Sequence, residues 1–330
     1  MRILIVHYTV LPVVLYGGTE RVLWCLGRDL VRMGNEVTFL LNAGSTCDFA
    51  PVLHIDAGRP IEQQIPAGFD VAHFHFQPEA GANIPIPYVV TMHGNISDAA
   101  TALDRNTIFV SRDHAARFGS RSWVHNGLDW DDYPAVNLAA RRDYFHFLGK
   151  AAWRVKNVQG AIDVVRRLGS ERLLVLGGHR FNVNMGLRLT LSPKIRFKGM
   201  VGGAEKAALL NGSRGLIFPV RWHEPFGLAI IESLYHGCPV FGTPYGSLPE
   251  LVPAEYGFLA TSVADLADAV RHWADYSPIR CHEYARDTFD SATMTTAYVA
   301  TYEAVANGAF LNDVSPRLRE PQRERFLEWR

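Results

Sequence analysis

The chain reads as an α/β protein made of two tandem Rossmann-like, doubly wound domains. Three observations predict this. Short runs rich in β-branched and aromatic residues alternate with amphipathic stretches of helical period, the pattern of parallel strands joined by crossover helices. The pattern pauses in a segment bearing Asn126, Gly127 and Pro134 and restarts near Tyr144 with a fresh apolar run. A chain of 330 residues with 48% hydrophobic content also exceeds what one ordinary core holds, so two cores are expected.

In the first half, R-I-L-I-V-H (2–7) is a buried strand, and a helix follows from about Thr19 to Met33 with Gly34 as its stop. E-V-T-F-L-L (36–41) completes a βαβ unit, and further strands are expected at 52–55, 70–76, 87–92, 107–110 and 122–125. Segment 126–143 is the expected linker. Beyond it the order repeats: strand 144–149, a cation-rich loop, helix 157–168, then strands at 172–178, 194–199, 215–220 and 238–243. A helix from Phe226 to His236 opens after Pro225, a residue suited to a helix start. These elements divide the chain into domains 1–135 and 136–292, with a C-terminal helix 293–330 expected to pack back on the first.

Composition excludes several classes of function. The 33 basic and 33 acidic residues balance, so a general nucleic-acid binder, which needs an excess of Lys and Arg on one face, is not expected. Cys25, Cys47, Cys238 and Cys281 stand far apart without CxxC spacing, which argues against a zinc site or a disulfide framework and for reduced, mostly buried, cytoplasmic thiols. The N-terminal apolar run is broken by His7, Tyr8, Thr9 and Pro12 and lacks a small-residue cleavage site, so it reads as a strand and not as a signal peptide. No stretch is long enough to span a bilayer.

Open α/β sheets bind ligands at the carboxyl ends of their strands, so the chemistry is expected in the loops there. In Y-G-G-T-E-R, Gly17 and Gly18 let the backbone approach a ligand just before a helix whose first amides can hold a phosphate. No G-x-G-x-x-G is present, so the nicotinamide fingerprint fails. The loop G-K-A-A-W-R-V-K-N packs Lys150, Arg154 and Lys156 into seven residues, enough cations to neutralise a diphosphate without a metal. In H-E-P-F-G-L-A-I-I-E, Glu224 sits at a strand-to-helix turn and Glu232 two turns on, on the order of 10 Å away at a helical rise of about 1.5 Å per residue. That span roughly matches the distance between the ribose and the sugar ring of a nucleotide-sugar, and each carboxylate can accept bonds from vicinal hydroxyls. His73 and His75 alternate on one strand, and Asp129, Asp131 and Asp132 mimic a metal-binding D-x-D; for both, a non-metal role is the stronger reading.

G-G-T-E-R (17–21), T-M-H-G-N (91–95), H-N-G-L-D (125–129), F-L-G-K-A-A-W-R-V-K-N (147–157), H-E-P-F-G-L-A-I-I-E (223–232) and G-S-L-P-E-L-V (246–252) occur in this order. With them the chain resembles the retaining nucleotide-sugar glycosyltransferases of the GT-B fold, family 4 in particular. The resemblance covers most of residues 2–305 and implies a cleft between an acceptor-side domain 1–135 and a nucleotide-sugar-binding domain 136–292. It implies that the donor phosphates meet Gly17 and Gly18, the latter through its amide, and the diphosphate Lys150, Lys156 and, where Lys150 is weaker than the family's Arg, Arg154. Glu232 takes the ribose hydroxyls. Glu224, with the amides of Phe226, Gly227 and Leu228, faces the transferred sugar and the phosphates, and His93 lies beside the reacting sugar. His93, Glu224 and Lys156 are thus the implied catalytic set. The implied reaction is metal-independent and needs no cofactor beyond the nucleoside-diphosphate sugar as co-substrate. A hexose-type sugar passes by front-face attack to a hydroxyl acceptor (a glycan, a lipid or a small molecule) with retention of configuration. Ser247 departs from the family, replacing the second Gly of its usual loop.

The resemblance also implies that the helix around Tyr302 crosses back to pack on the first domain. The Arg-rich stretch beyond it interleaves five Arg with acids and reads as a salt-bridged surface helix; Phe326 and Trp329 add peripheral contact with the inner face of a membrane as the alternative. Two other functions compete with transfer. A nucleotide-sugar epimerase on the same scaffold forms product without an acceptor, and a non-catalytic nucleotide-sugar binder needs none of the acids and cations that Glu224, Lys156 and Glu232 retain.

Overall fold

The structure is a computed structural model that describes residues 1–13, 17–182 and 188–330; Tyr16 of the Y-G-G-T-E-R stretch lies outside them. Its described residues fall into two units, Met1–Val13, Gly17–Asp129 and Phe289–Pro321 in the first and Trp130–Thr288 and Gln322–Arg330 in the second.

The first unit is built on strands β1 (Arg2–His7), β2 (Glu36–Leu41), β3 (Val52–His54), β4 (Val71–Phe74), β5 (Tyr88–Met92) and β6 (Thr107–Phe109), with helices α1 (Gly18–Arg32) and α2 (Arg112–Arg117). All strands are parallel and stand in the order β3-β2-β1-β4-β5-β6, so the winding reverses between β1 and β4. Ile3, Leu4, Ile5 and Val6 are wholly buried, as a central parallel strand covered on both faces requires. Helix α1 buries Val22, Leu23, Leu26 and Leu30, and Gly27 lets it lie on the sheet: a Cβ there would stand 2.4 Å from Phe39 Cζ.

The second unit repeats this plan with β7 (Tyr144–Leu148), α3 (Val158–Leu168), β8 (Leu173–Leu176), β11 (Ile195–Phe197), α4 (Gly203–Asn211), β12 (Ser213–Phe218), α5 (Leu228–Tyr235), β13 (Val240–Gly242), α6 (Leu248–Leu251), β14 (Gly257–Leu259), α7 (Val263–Arg271) and α8 (Pro278–Thr288). Between β8 and β11, β9 (Phe181–Asn182) and β10 (Arg188–Leu189) pair antiparallel on their own. The main sheet is parallel in the order β11-β8-β7-β12-β13-β14, with its reversal between β7 and β12. Both units thus have the two-sided α/β sheet that the alternating pattern predicts.

Helix α9 (Ser291–Ala306), capped by Asp290, belongs to the first unit, where Tyr298 and Tyr302 are wholly buried. Three expectations differ from what is seen. The predicted strand at 122–125 is reduced to a single bridge between Phe109 and Trp123. Residues 130–135 group with the second unit because Trp130 stacks on Tyr235 at 4.1 Å and Tyr133 donates to Glu232. The stretch after α9 is not helical, since Pro316 and Pro321 interrupt it and its amides bond outward. Arg317 and Arg319 donate to Phe118 and Arg117 in the first unit, whereas from Gln322 onward the chain lies on the second.

Candidate functional site

In the second unit, the reversal of winding leaves the loops after β7 and β12 side by side. The first loop carries the cations: Asn157, left-handed at φ 54°, caps α3 by accepting from the Gly160 amide at 3.1 Å, and its Nδ2 donates to Pro219 O at 2.9 Å. Arg221 N also donates to Val155 O at 2.7 Å, so the two loops are joined through their backbones. Across this junction Lys156 Nζ reaches Glu224 Oε2 at 2.5 Å, and Trp222 Nε1 donates to the same oxygen at 2.8 Å. The ammonium lies 5.0 Å from the Trp222 ring centroid and keeps only 12% of its side chain accessible, so this pair is well shielded from water. Among the described residues Glu224 Oε1 accepts no hydrogen bond.

The turn that carries Glu224 into α5 is fixed from below. Gly246 bridges Glu224 so closely that an added Cβ would come within 2.3 Å of both the Glu224 N and O, and its φ of 65° disfavours a side chain in any case. Ser247, the residue that departs from the family pattern, has a place: its amide donates to Glu224 O at 2.9 Å and its hydroxyl to Phe226 O at 2.6 Å. Gly227, at φ 90°, is the N-cap of α5. The Phe226 side chain is core, so only its backbone is available to a ligand.

Glu232 occupies a second, separate polar cluster. It is 2% exposed, pairs with Lys206 from α4, and accepts from the Tyr133 hydroxyl at 2.7 Å. Both contacts use Oε1.

Lys150 is exposed, with its ammonium 5.4 Å from the Trp153 ring centroid. The Arg154 guanidinium lies over Phe326 at 4.9 Å, and Arg221 lies over the same ring at 5.2 Å. The segment bearing Phe326 is tied down along its length. Leu327 exchanges bonds with Arg221, Glu328 O accepts from Tyr245 at 2.9 Å, and Arg330 pairs with Thr261 and Val263.

In the first unit, the reversal between β1 and β4 gathers imidazoles. His75, just past β4, bonds through Nδ1 to His93 Nε2 at 2.8 Å, and the two rings stack at 5.1 Å. His73 lies beneath, its ring 4.0 Å from that of His75, held by Tyr302 and Thr91 at 2.7 Å each. Burial strips water from the charged form and lowers the pKa of His93 to about 3, with His7 and His114 adding to the effect. His73 and His75 are lowered for the same reason, so the cluster is uncharged at neutral pH. Gly17 is the N-cap of α1 and Gly18 its first residue, and a Cβ on Gly17 would stand 2.7 Å from Glu20 Oε2.

Residues 142–275 match the family model described as Glycosyl transferases group 1. The match lies wholly within the second unit. Over more than nine-tenths of its length the chain shares the GT-B fold of solved glycosyltransferases. AviGT4, involved in avilamycin A biosynthesis, is 22% identical with a TM-score of 0.74, covering 93% of this chain and 98% of that one. Sucrose-phosphate synthase from Thermosynechococcus elongatus is 16% identical with a TM-score of 0.68, covering 93% and 100%. HepE from Anabaena, solved with UDP-glucose, is 17% identical with a TM-score of 0.65, covering 92% and 100%. No curated protein sequence matches the chain.

Of the residues singled out in the glycosyltransferase's sequence, Lys156, Glu224, Phe226, Gly227 and Leu228 come together around one turn. Glu232 stands apart with its own cation, Arg154 is taken up by Phe326, and Gly17, Gly18 and His93 lie in the other unit. Asp129 has structural work, pairing with Arg28 at 2.7 Å and Arg32 at 2.6 Å. Among the described residues no three His, Cys, Asp or Glu side chains gather as a metal set. Sequence reasoning missed Trp222, Lys206 and Tyr133, and noted His75 only as half of a metal pair that it set aside. Trp222 precedes Glu224 by two residues and was open to notice; Lys206 and Tyr133 reach Glu232 from 26 and 99 residues away and carry no local signal.

Proposed function

We propose that this glycosyltransferase is a retaining enzyme of family 4 that moves a hexose-type sugar from a nucleoside-diphosphate donor to a hydroxyl acceptor. The observation that carries this reading is the Lys156–Glu224–Trp222 cluster at the carboxyl ends of β7 and β12, beside the start of α5. Ligands of open α/β sheets bind at this position. HepE, solved with UDP-glucose, and a starch synthase from Arabidopsis thaliana, solved with ADP and acarbose, have the same fold and support a nucleotide-bearing donor.

In this reading Glu224 Oε1 accepts a hydroxyl of the transferred sugar while Oε2 stays on Lys156 and Trp222. An ammonium has three N–H donors; one serves Glu224, and the others turn to the β-phosphate. Lys150 and the amides of Phe226, Gly227 and Leu228 complete the anion site, so charge that develops on the departing diphosphate is met without a metal. Glu232, oriented by Lys206 and Tyr133, receives the ribose hydroxyls. The first unit binds the acceptor and contributes His93, which acts uncharged, and Gly18 offers its amide to the phosphates. A donor phosphate oxygen takes the acceptor proton as the glycosidic bond forms on the face the nucleotide leaves. In this reading the reaction is cytoplasmic, which the four free cysteines support, and no helix among the described residues is long and apolar enough to cross a membrane.

The test is nucleotide release from UDP-, GDP-, ADP- and dTDP-hexoses, with and without EDTA. One donor is expected to turn over, insensitive to chelation. Glu224→Gln is expected to lower kcat/KM about ten- to a hundredfold, the worth of a hydrogen bond to a charged group. No turnover of any donor, or turnover untouched by Glu224→Gln, contradicts the reading.

A further inference from the structure

We infer that Arg154, Arg221 and Arg325, gathered around the Phe326 ring, form a second anion site in this unit, one that takes a phosphate group other than those of the donor. The three come from three segments of the second unit: the loop after β7, the loop after β12 and the stretch 322–330. Their guanidinium carbons stand 4.9, 5.2 and 5.4 Å from the centroid of that one ring. A ring has two faces, so at least two of the three share one, near enough for a single tetrahedral anion to reach both.

No carboxylate answers these charges. Other exposed arginines of the chain are paired, Arg32 with Asp29, Arg214 with Glu171 and Arg330 with Glu328. Arg154, Arg221 and Arg325 form no ion pair among the described residues, and Glu324, next to Arg325, forms none either. Three like charges around one ring repel one another, and an anion between them turns that repulsion into attraction. The central group is held ready. Arg221 Nε donates to Leu327 O at 2.7 Å, its amide donates to Val155 O at 2.7 Å, and its carbonyl accepts from the Leu327 amide at 2.9 Å, which leaves its terminal nitrogens for a ligand.

The geometry selects the ligand. A guanidinium is a planar fork of donors that matches the oxygens of a carboxylate or a phosphate. A carboxylate carries one charge in one plane and satisfies one fork. A phosphate monoester carries nearly two charges at neutral pH on three oxygens that point apart, which suits forks arriving from separate segments. Bound there, it ties the stretch 322–330 to the loops after β7 and β12. Inorganic phosphate and a phosphomonoester on a larger molecule share this chemistry. The site stands whether or not the donor reading does.

Calorimetric titration of the full chain at neutral pH and fixed ionic strength tests this, with sodium phosphate and glucose 6-phosphate as separate titrants and sodium chloride and glucose as controls. UDP, GDP, ADP and dTDP are titrated into the same samples. At least one phosphate compound is expected to bind and to raise the thermal midpoint, as a ligand of the folded state does. Arg325→Gln and Arg221→Gln are each expected to weaken that binding about tenfold, the worth of a hydrogen bond between charged groups. Arg325 is exposed, so its variant is expected to keep the thermal midpoint and nucleotide affinity of the wild type. Binding of glucose 6-phosphate alone supports the site and assigns it to a phosphate carried on a larger molecule, whereas equal binding of both supports it with free phosphate as sufficient. No binding of either compound, equal binding in wild type and both variants, or complete displacement of phosphate by the nucleotide overturns the inference. Nucleotide binding without phosphate binding overturns this inference alone, and phosphate binding without nucleotide binding overturns only the donor reading.

Discussion

Glu224 and Glu232 stand eight residues apart on one strand-turn-helix stretch, yet each has its own cation and its own neighbours. Glu224 is shared between Lys156 and Trp222 at the mouth of the turn, whereas Glu232 is enclosed with Lys206 and Tyr133. The difference predicts different responses to mutation. Glu232→Ala leaves the Lys206 ammonium buried without its counter-charge, a change that costs about 3–5 kcal/mol, and urea unfolding is expected to show a loss of that size. Glu232→Gln keeps the shape and an acceptor for Tyr133, so it is expected to lose less. Equal stability of wild type and Glu232→Ala would show that the Lys206 pair is not formed. Histidines make the second prediction at this scale. His93, His114 and His146 are buried uncharged, each lowered from 6.5 to about 3, chiefly by desolvation. In the unfolded chain they titrate near 6.5, so below that value the unfolded state binds more protons than the folded one. Their contribution is complete above 6.5 and is lost as pH falls toward 3. Unfolding midpoints are expected to drop steadily from neutral pH to about pH 4, and a flat profile contradicts the burial of these rings.

At the scale of elements, the strands and crossover helices follow from periodicity because buried parallel strands are continuous apolar runs and their helices are amphipathic. The limits that differ were set by long-range partners. Trp130 and Tyr133 look like linker residues in sequence and become part of the second unit through Tyr235 and Glu232. The Arg-rich stretch looks like a surface helix, but its prolines and its bonds to Arg117, Phe118, Arg221 and Thr261 hold it extended. Phe326 is its anchor, faced by the guanidinium groups of Arg154, Arg221 and Arg325. Exposed cation–π pairs are worth about 0.5–1 kcal/mol, so Phe326→Ala is expected to change donor KM about two- to fivefold with kcat little altered. A KM identical to wild type would separate this segment from the donor loops. Gly246→Ala is the harsher change, since no room exists for its Cβ against Glu224, and it is expected to abolish donor turnover.

For the whole molecule, the alternation, the restart near Tyr144 and the ordered motifs made the two-domain fold legible before any coordinates. The grouping of Lys156 with Glu224 was legible too, because both lie in loops at strand ends that the topology places side by side. Contacts supplied from distant elements, such as those of Lys206 and Tyr133 with Glu232 and of His93 with His75, were not, since nothing local in the sequence marks a contact made across the sheet. The central claim is that the second unit holds a nucleoside diphosphate. Calorimetric titration of UDP, GDP, ADP and dTDP into wild type and Glu232→Gln, each confirmed folded by its thermal midpoint, tests it most directly. One nucleotide is expected to bind wild type clearly and Glu232→Gln about tenfold or more weakly, through loss of hydrogen bonds from the ribose to a charged acceptor. No binding of any nucleotide, or equal binding to both proteins, would contradict the account.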